Sequence, residues 1–334
     1  NSIKKTKKKE IEMAHELEII ENKAQMAYVG ATPWHGLGVS LEEGVMPMEM
    51  MEAAGLDWKV EKRDLAVTAA DGTKIIVPNK KALMRENDNK ILDIVGEDWQ
   101  PVQNATAFSF FEEFCKEGSI KMHTAGSLFD GKKIWALGKI ESNFTLFDGD
   151  KVEGYLLFSN PHQFGSAVDV RFTPIRVVCN NTLTLSLGSE AQNFARISHR
   201  KEFDPEMVKQ VLGIAKEKMH EYKIIAETLG AKQVTDKQFR NFLGKIFGES
   251  KKEDKETGMQ SLTRTAQLAY DSFETQPGAE FARGSWWQAL NAVTYVTDHK
   301  IGNSTQTRLN SMWYGANRSK KINAVKTAME MANA

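Results

Sequence analysis

Four side chains in this sequence are of the types that do proton, metal or nucleophilic chemistry at sites worth testing: His35, Cys179, Asp298 and His299. His35 stands in Trp34-His35-Gly36-Leu37-Gly38, where flanking glycines let the backbone approach another surface closely. An imidazole there can relay protons or ligate a metal near neutral pH. The alternative is a tight turn with Trp34 plugging the core and His35 hydrogen-bonded. Cys179 follows Val177-Val178, which reads as a buried, inert thiol. A nucleophilic role would need a histidine brought from elsewhere in the fold. Asp298-His299 offers two groups for a proton relay or a metal, without a third ligand at recognisable spacing.

A second set of residues has the chemistry of anion binding. Asp169 and Arg171 alternate along AVDVRFT, so they share one strand face and suit an ion pair or a shared anion site. Arg176 follows on the same segment. Arg196, His199, Arg200 and Lys201 form the densest basic strip of the body, able to track a phosphate backbone in an extended segment. On a helix from Ser285 to His299, Gln288, Asn291, Tyr295, Asp298 and His299 fall on one side. That side reads as an exposed hydrogen-bonding surface, with burial against a sheet as the alternative.

Bulk properties narrow the classes. Lys and Arg number 44, Asp and Glu 44, and the formal net charge is zero. Lys4, Lys5, Lys7, Lys8 and Lys9, against Glu10 and Glu12, concentrate positive charge at the start and leave residues 13–334 at −3. The body therefore lacks the charge of a protein that coats duplex DNA non-specifically. Two cysteines far apart make neither a disulfide framework nor a metal knuckle, which fits a reducing compartment. No apolar run reaches the ~18–20 residues that span a bilayer. GxxxxGK[ST], GxGxxG after a strand, HExxH and GxSxG are all absent from the sequence. No cofactor is implied.

The elements that must position these residues change type along the chain. Residues 1–12 read as a disordered basic leader or an artefact, with Met13 as the natural start, and 13–334 as one α+β domain. Residues 15–27 and 47–54 read as short helices. From 57 to 200 the chain is strand-rich, with hairpin punctuation between 57 and 95, a helix over 102–116, and strands near 119–123, 133–140, 151–159 and 167–178. Pro174 breaks the last of these or marks an edge, and Asn180 can cap a helix starting at Asn181 or Thr182. From 204 to 334 it is helical, opened by Asp204-Pro205-Glu206. Further helices are expected at 235–247, 259–274, 284–299 and 317–332, with 248–258 a solvated connection. The fold class is α+β: a mostly antiparallel sheet in the first ~200 residues packed with a helical C-terminal part.

Several stretches in order carry a resemblance: WHGLG, VGEDWQPVQNATAFSFF, TAGSLFDGKKIWALG, LLFSNPHQFGSAVDVRFTPIRVVCNNTL, GSWWQALNAVTYVTDH and WYGANRSKKINAVKTAMEMA. Together they resemble the phage/plasmid-like protein family, a domain-of-unknown-function family of prophages, phages and plasmids. The resemblance implies a mobile-element product in the cytoplasm of a bacterial host. It draws attention to Trp34, His35, Gly36, Gly38, Gln103, Asn104, Arg176, Cys179, Asn181, Thr182, Asn291, Asp298 and His299. Thr294-Tyr295-Val296 departs from the Thr-Glu-Tyr-like stretch of that family.

The leading expectation is a non-enzymatic protein that binds or anneals single-stranded DNA, possessing basic segments and aromatics on strands (Phe129, Trp135, Phe158, Phe164, Phe172), in a homo-oligomer and away from membranes. The alternatives are an enzyme acting on a nucleotide or small anion through a His/Asp/Arg site, and a virion or host-interaction component.

Overall fold

The computed structural model describes residues 18–21, 23–30, 37–116, 120–147, 149–176, 181–182, 194–197, 205–253, 260–302 and 305–334. The leader 1–12 lies outside them. By backbone contacts the chain divides into two compact units. Unit 1 comprises residues 1–140, 156–171 and 194–211; unit 2 comprises 141–155, 172–193 and 212–334.

Unit 1 is built on strands. The chain opens with β1 (Ile19–Ile20), β2 (Lys23–Ala24), β3 (Met26–Val29) and β4 (Val39–Leu41). A helix was expected over 15–27, and the described part of that segment is extended instead. Ala27, Tyr28 and Val29 are buried between β4, parallel, and the antiparallel β8 (Ile120–Leu128). Tertiary pairing of an apolar run here outweighs the helix propensity of its Ala and Glu residues.

Helix α1 (Pro47–Ala53) starts as expected, with proline in its first turn and Glu49 accepting from the Met46 N–H at 3.1 Å. It packs with α2 (Asn104–Lys116) against β3 and β8. Phe108 and Phe111 of α2 are fully buried, and the Phe111 ring meets Phe158 edge-on at 5.8 Å.

Between the two helices lies a separate antiparallel sheet, β5 (Val60–Thr68), β6 (Lys74–Arg85) and β7 (Ile91–Gly96), in that order. It is fastened by a buried ionic cluster: Arg85 donates to Glu18 at 2.6 Å and to both oxygens of Asp88, and Ser127 donates to Glu18.

The larger sheet runs in the order β12-β11-β10-β9-β8-β3-β4, with β9 (Lys133–Leu146), β10 (Asp150–Pro161), β11 (Val168–Arg176) and β12 (Asn181–Thr182). Strands β9, β10 and β11 contribute residues to both units. β13 (Phe194–Ile197) pairs β11 over Val168–Arg171, and β12 pairs it at Ile175 and Arg176. Pro174, which lacks a donor, sits in β11 between these two paired stretches. Asn181 and Thr182 are strand residues, where the sequence suggested a capped helix start.

Unit 2 is a helical assembly around one buried helix. α3 (Pro205–Gly230) begins at the expected proline and buries Ala215, Met219, Tyr222, Ile225, Ala226 and Leu229. α4 (Asp236–Phe247) is opened by Thr235 and Gln238 in a reciprocal cap. The charged stretch after it forms β14 (Glu249–Glu253), antiparallel to β15 (Gln260–Leu262), so part of the expected solvated connection is a hairpin. α5 (Arg264–Asp271) follows, shorter than expected because β15 takes its predicted first turn.

Ser285 caps α6 (Trp286–His299), whose residues are buried on every side but Tyr295 and His299. α7 (Thr305–Tyr314), which the sequence pattern did not suggest, leads into α8 (Ala316–Asn333). Trp287 packs on Phe147 and Tyr222 and donates its indole N–H to Asp150 at 2.9 Å. Lys321 of α8, fully buried, donates to Asp298 of α6 at 2.7 Å. The architecture is α+β, strands first and helices after, as the sequence implied.

Candidate anion-binding site

One end of the unit 1 part of the large sheet gathers positive charge. The turn from β8 to β9 is tight: Phe129, Asp130 and Gly131 all take positive φ (55°, 58° and 89°), and Lys132 N–H closes it on the Phe129 carbonyl. Left-handed non-glycine residues are held only where surrounding structure over-determines them. Here the Lys132 carbonyl accepts from the His162 N–H at 2.8 Å, which ties the turn to the end of β10. Lys133, the first residue of β9, is 9% exposed, with its Nζ 5.9 Å from the centre of the Phe129 ring.

Asp169 and Arg171 project from β11 on one face, as their spacing required. Arg171 donates Nε to Asp169 Oδ1 at 2.9 Å and Nη2 to Asp169 Oδ2, a two-pronged pair. Both are buried. Burial drives the Lys133 ammonium down to about 8; the attraction of Asp169 opposes this and the Arg171 charge adds to it. Lys133 and Arg171 thus both interact with the Asp169 carboxylate in a desolvated setting, where charge interactions are strengthened.

Strand β13 extends this region. Its register sets Arg196 opposite Asp169, Phe194 opposite Arg171 and Ile197 opposite Val168. The chain therefore leaves β13 at the sheet end that holds the 129–132 turn and the 162–167 loop. The next residues in sequence are Ser198, His199, Arg200 and Lys201; His199, Arg200 and Lys201 lie outside the described residues. On the 162–167 loop Phe164 is 65% exposed, and its N–H donates to Asp93 at 2.6 Å.

The other expected positions divide clearly. Trp34, His35, Gly36 and Cys179 lie outside the described residues. Gly38 takes φ 104°, and a Cβ there would stand 3.0 Å from the Met26 carbonyl, so glycine is required where β4 meets β3. Gln103 uses its side-chain amide as a strand partner, accepting from Val60 N–H at 3.0 Å and donating to Val60 C=O at 2.9 Å. Asn104 donates to the Leu56 carbonyl at 2.9 Å, which turns its own oxygen toward His162 Nε2, also 2.9 Å away. The imidazole proton therefore sits on Nε2. These two residues fasten the fold.

Arg176 and Asn181 are direct partners across β11 and β12, and β12 lies against α6. The polar side of α6 is not the surface expected. Gln288, Asn291 and Asp298 are 2%, 0% and 3% exposed, because α6 is enclosed by neighbouring helices on the side that the pattern left open. Asn291 donates to the Trp287 carbonyl, Asp298 takes the Lys321 ammonium, and the His299 ring lies 5.1 Å from Tyr295. Among the described residues no three His, Cys, Asp or Glu side chains are grouped to hold a metal ion.

Of the aromatics considered for stacking, Trp135 and Phe158 are core and Phe172 packs against the unit 2 core. Lys133 and Lys321 gave no sequence signal: each is one of a Lys-Lys pair.

Residues 91–326 match the domain described as "Domain of unknown function (DUF932)", and the chain belongs to that family. The matched span includes Lys133, Asp169 and Arg171 as well as Asp298 and Lys321. No curated protein and no solved structure matches the chain.

Proposed function

We propose that this chain is a phage or plasmid protein that binds single-stranded nucleic acid in its bacterial host, through the Lys133–Arg171 end of the unit 1 sheet. The observation that carries the reading is the desolvated pair of cations, Lys133 and Arg171, sharing Asp169 beside the point where β13 leads into the basic strip. Low-dielectric surroundings raise the potential that such cations project at a rim. Arg200 and Lys201, which follow β13 in the sequence, then contact phosphates, and the exposed Phe164 with the half-buried Phe129 contacts base faces. Stacking on aromatics needs unpaired bases, which selects single strands over duplex. Phe164 is the exposed large aromatic among the described residues, which argues for a short footprint rather than a broad stacking platform.

The test is fluorescence anisotropy of labelled single-stranded and duplex oligonucleotides at two salt concentrations. Phe164→Ala removes a surface ring and is expected to weaken single-strand binding by ~1–3 kcal/mol, roughly 5- to 150-fold. Arg200→Glu with Lys201→Glu is expected to lower the salt slope by about 1.4, from ~0.7 per lost phosphate contact. Lys326→Glu on unit 2, with a side chain 73% exposed, is the charge-matched control. Absence of binding at low salt, or binding unaltered by both changes, overturns the proposal.

A further inference from the structure

The far half of the β5–β6 hairpin extends past the three-stranded sheet. β7 pairs β6 only over residues 80–84, whereas β5 follows β6 out to Thr68 and Lys74. The projecting arm has two strands and is exposed on both sides, yet it carries Val67 (54% exposed), Ile75 (52%) and Ile76 (55%). Cross-strand pairing puts Val67 and Ile75 together on one face, with Leu65 and Val77 at the alternating positions. A two-stranded ribbon alone is marginal in water, and an apolar open edge is a template for another strand.

The hydrogen-bond pattern fixes what that edge offers. Ala69 N–H donates to Thr73 C=O at 2.8 Å, so this pair is of the bonded type. Two residues along, Val67 and Ile75 turn their backbone groups toward each other. The alternate residues Lys74 and Ile76 turn theirs away from β5, to the edge that β7 leaves uncovered; beyond Ile76 the pairing with β5 shifts register.

We infer that this edge pairs with the same edge of a second copy of the chain, antiparallel about a two-fold axis through Ile76. In that register the two Ile76 residues exchange both backbone hydrogen bonds. Lys74 N–H of each copy meets the Pro78 carbonyl of the other. Ile75 of one copy falls opposite Val77 of the other, so apolar side chains meet apolar side chains in a four-stranded sheet. The Asp71 end of one arm comes to the exposed Lys80 of the other, next to Lys81, which is held by Asp64 of its own chain, so an acidic and a basic side chain meet at both ends. Moving the axis one residue toward Val77 would instead set Lys74 opposite Lys80, like against like. The symmetry is isologous, as closed dimers require. Pro78 and the left-handed Asn79 (φ 58°) stop the edge from extending further.

The contact is small beside the ~800 Å² per partner of a standard interface, so association is expected to depend on concentration between about 1 and 200 µM. Sedimentation velocity of the full chain should show its mass rising toward twice 37.5 kDa over that range. Ile76→Pro removes only an outward-facing N–H, so it should leave the far-ultraviolet spectrum and melting intact while holding the chain at monomer mass. Ile76→Cys provides a second readout that does not depend on affinity. Residues in a bonded antiparallel pair have Cα atoms ~5.5 Å apart, within disulfide range, so oxidation should yield a dimer whose bond maps to position 76 in both copies. Val67→Cys, on the other strand, should not cross-link. A wild-type chain that stays monomeric throughout, as it would if the edge serves a strand of some other protein, overturns the inference. So does cross-linking of Val67→Cys as efficient as that of Ile76→Cys. The inference is independent of nucleic-acid binding, which uses another part of unit 1.

Discussion

Replacing Lys133 by methionine should make the protein more stable and less able to bind anions. The wild-type ammonium is held in a desolvated position, and burial carries its proton affinity from 10.5 down to about 8. That difference corresponds to ~3 kcal/mol of penalty whenever both folded and unfolded chains hold the proton, which is the case at pH 7. Lys133→Met lifts the penalty and fills a similar volume. It forfeits the contact with the Phe129 ring, worth ~1 kcal/mol. The net gain is about 2 kcal/mol, or roughly 4–8 °C in Tm for a unit of this size.

The pH dependence supplies the sharper test. Between about pH 8 and pH 10.5 the unfolded chain holds this proton and the folded chain does not. The unfolded state then binds more protons, so the contribution of this group to stability rises with pH across that window. Wild-type melts by circular dichroism at pH 7 and pH 9.5 should therefore differ from those of Lys133→Met, with the gap narrowing at the higher pH. A methionine variant that melts below wild type at pH 7 would refute the reasoning. So would a gap that widens with pH. Either result would mean that Asp169 offsets the burial of Lys133.

Two further outcomes follow from unit 2. Lys321→Met leaves the Asp298 carboxylate buried without its ammonium and should destabilise by ~3–5 kcal/mol, while Asp298→Leu with Lys321→Met should recover most of that in chemical denaturation. Gly230→Ala would put a Cβ 2.0 Å from the edge of the Phe147 ring and should lower stability by ~1–3 kcal/mol in the same assay, with Phe147→Leu relieving it.

The strand of residues 168–176 shows how far the sequence carried. Alternation of Val168, Val170 and Phe172 with Asp169, Arg171 and Thr173 marked a strand and placed Asp169 beside Arg171, and both hold. Alternation also suggests one wet face, and here Asp169, Arg171 and Thr173 are buried too. Local pattern reports periodicity; it does not report which elements later cover a face. The same limit explains α6, whose polar side looked like surface and is enclosed by neighbours that come partly from residues 316–333.

Segment 15–27 failed differently: its Ala, Glu and Leu content favours a helix in isolation, but its described residues lie in strands, β3 between two partners. α7 was missed because Thr305–Tyr314 has neither a strong apolar stripe nor a run of good helix formers. As for the site, Arg171 was legible from its spacing. Lys133 was not, since nothing in Asp-Gly-Lys-Lys distinguishes a buried lysine from a turn residue.

The bond from Trp287 to Asp150 joins residues 137 apart in sequence. At a ribosomal pace of ~5–20 residues per second, Asp150 emerges roughly 7–27 s before its partner exists. During that interval Leu146 and Val152, which end up in the unit 2 core, lack the part of that core that α6 supplies. α6 cannot close the gap alone, because an isolated 14-residue helix is marginal in water and this one is buried on nearly every side in the folded chain. Completion also awaits α8, which contributes Ala324, Val325 and Ala328 to the same core. Such long-range closure slows folding, and it places the nascent chain in the care of whatever chaperones meet it at the tunnel exit. Rare codons between residues 155 and 286 would lengthen that exposure, and a C-terminal truncation within α8 would make it permanent.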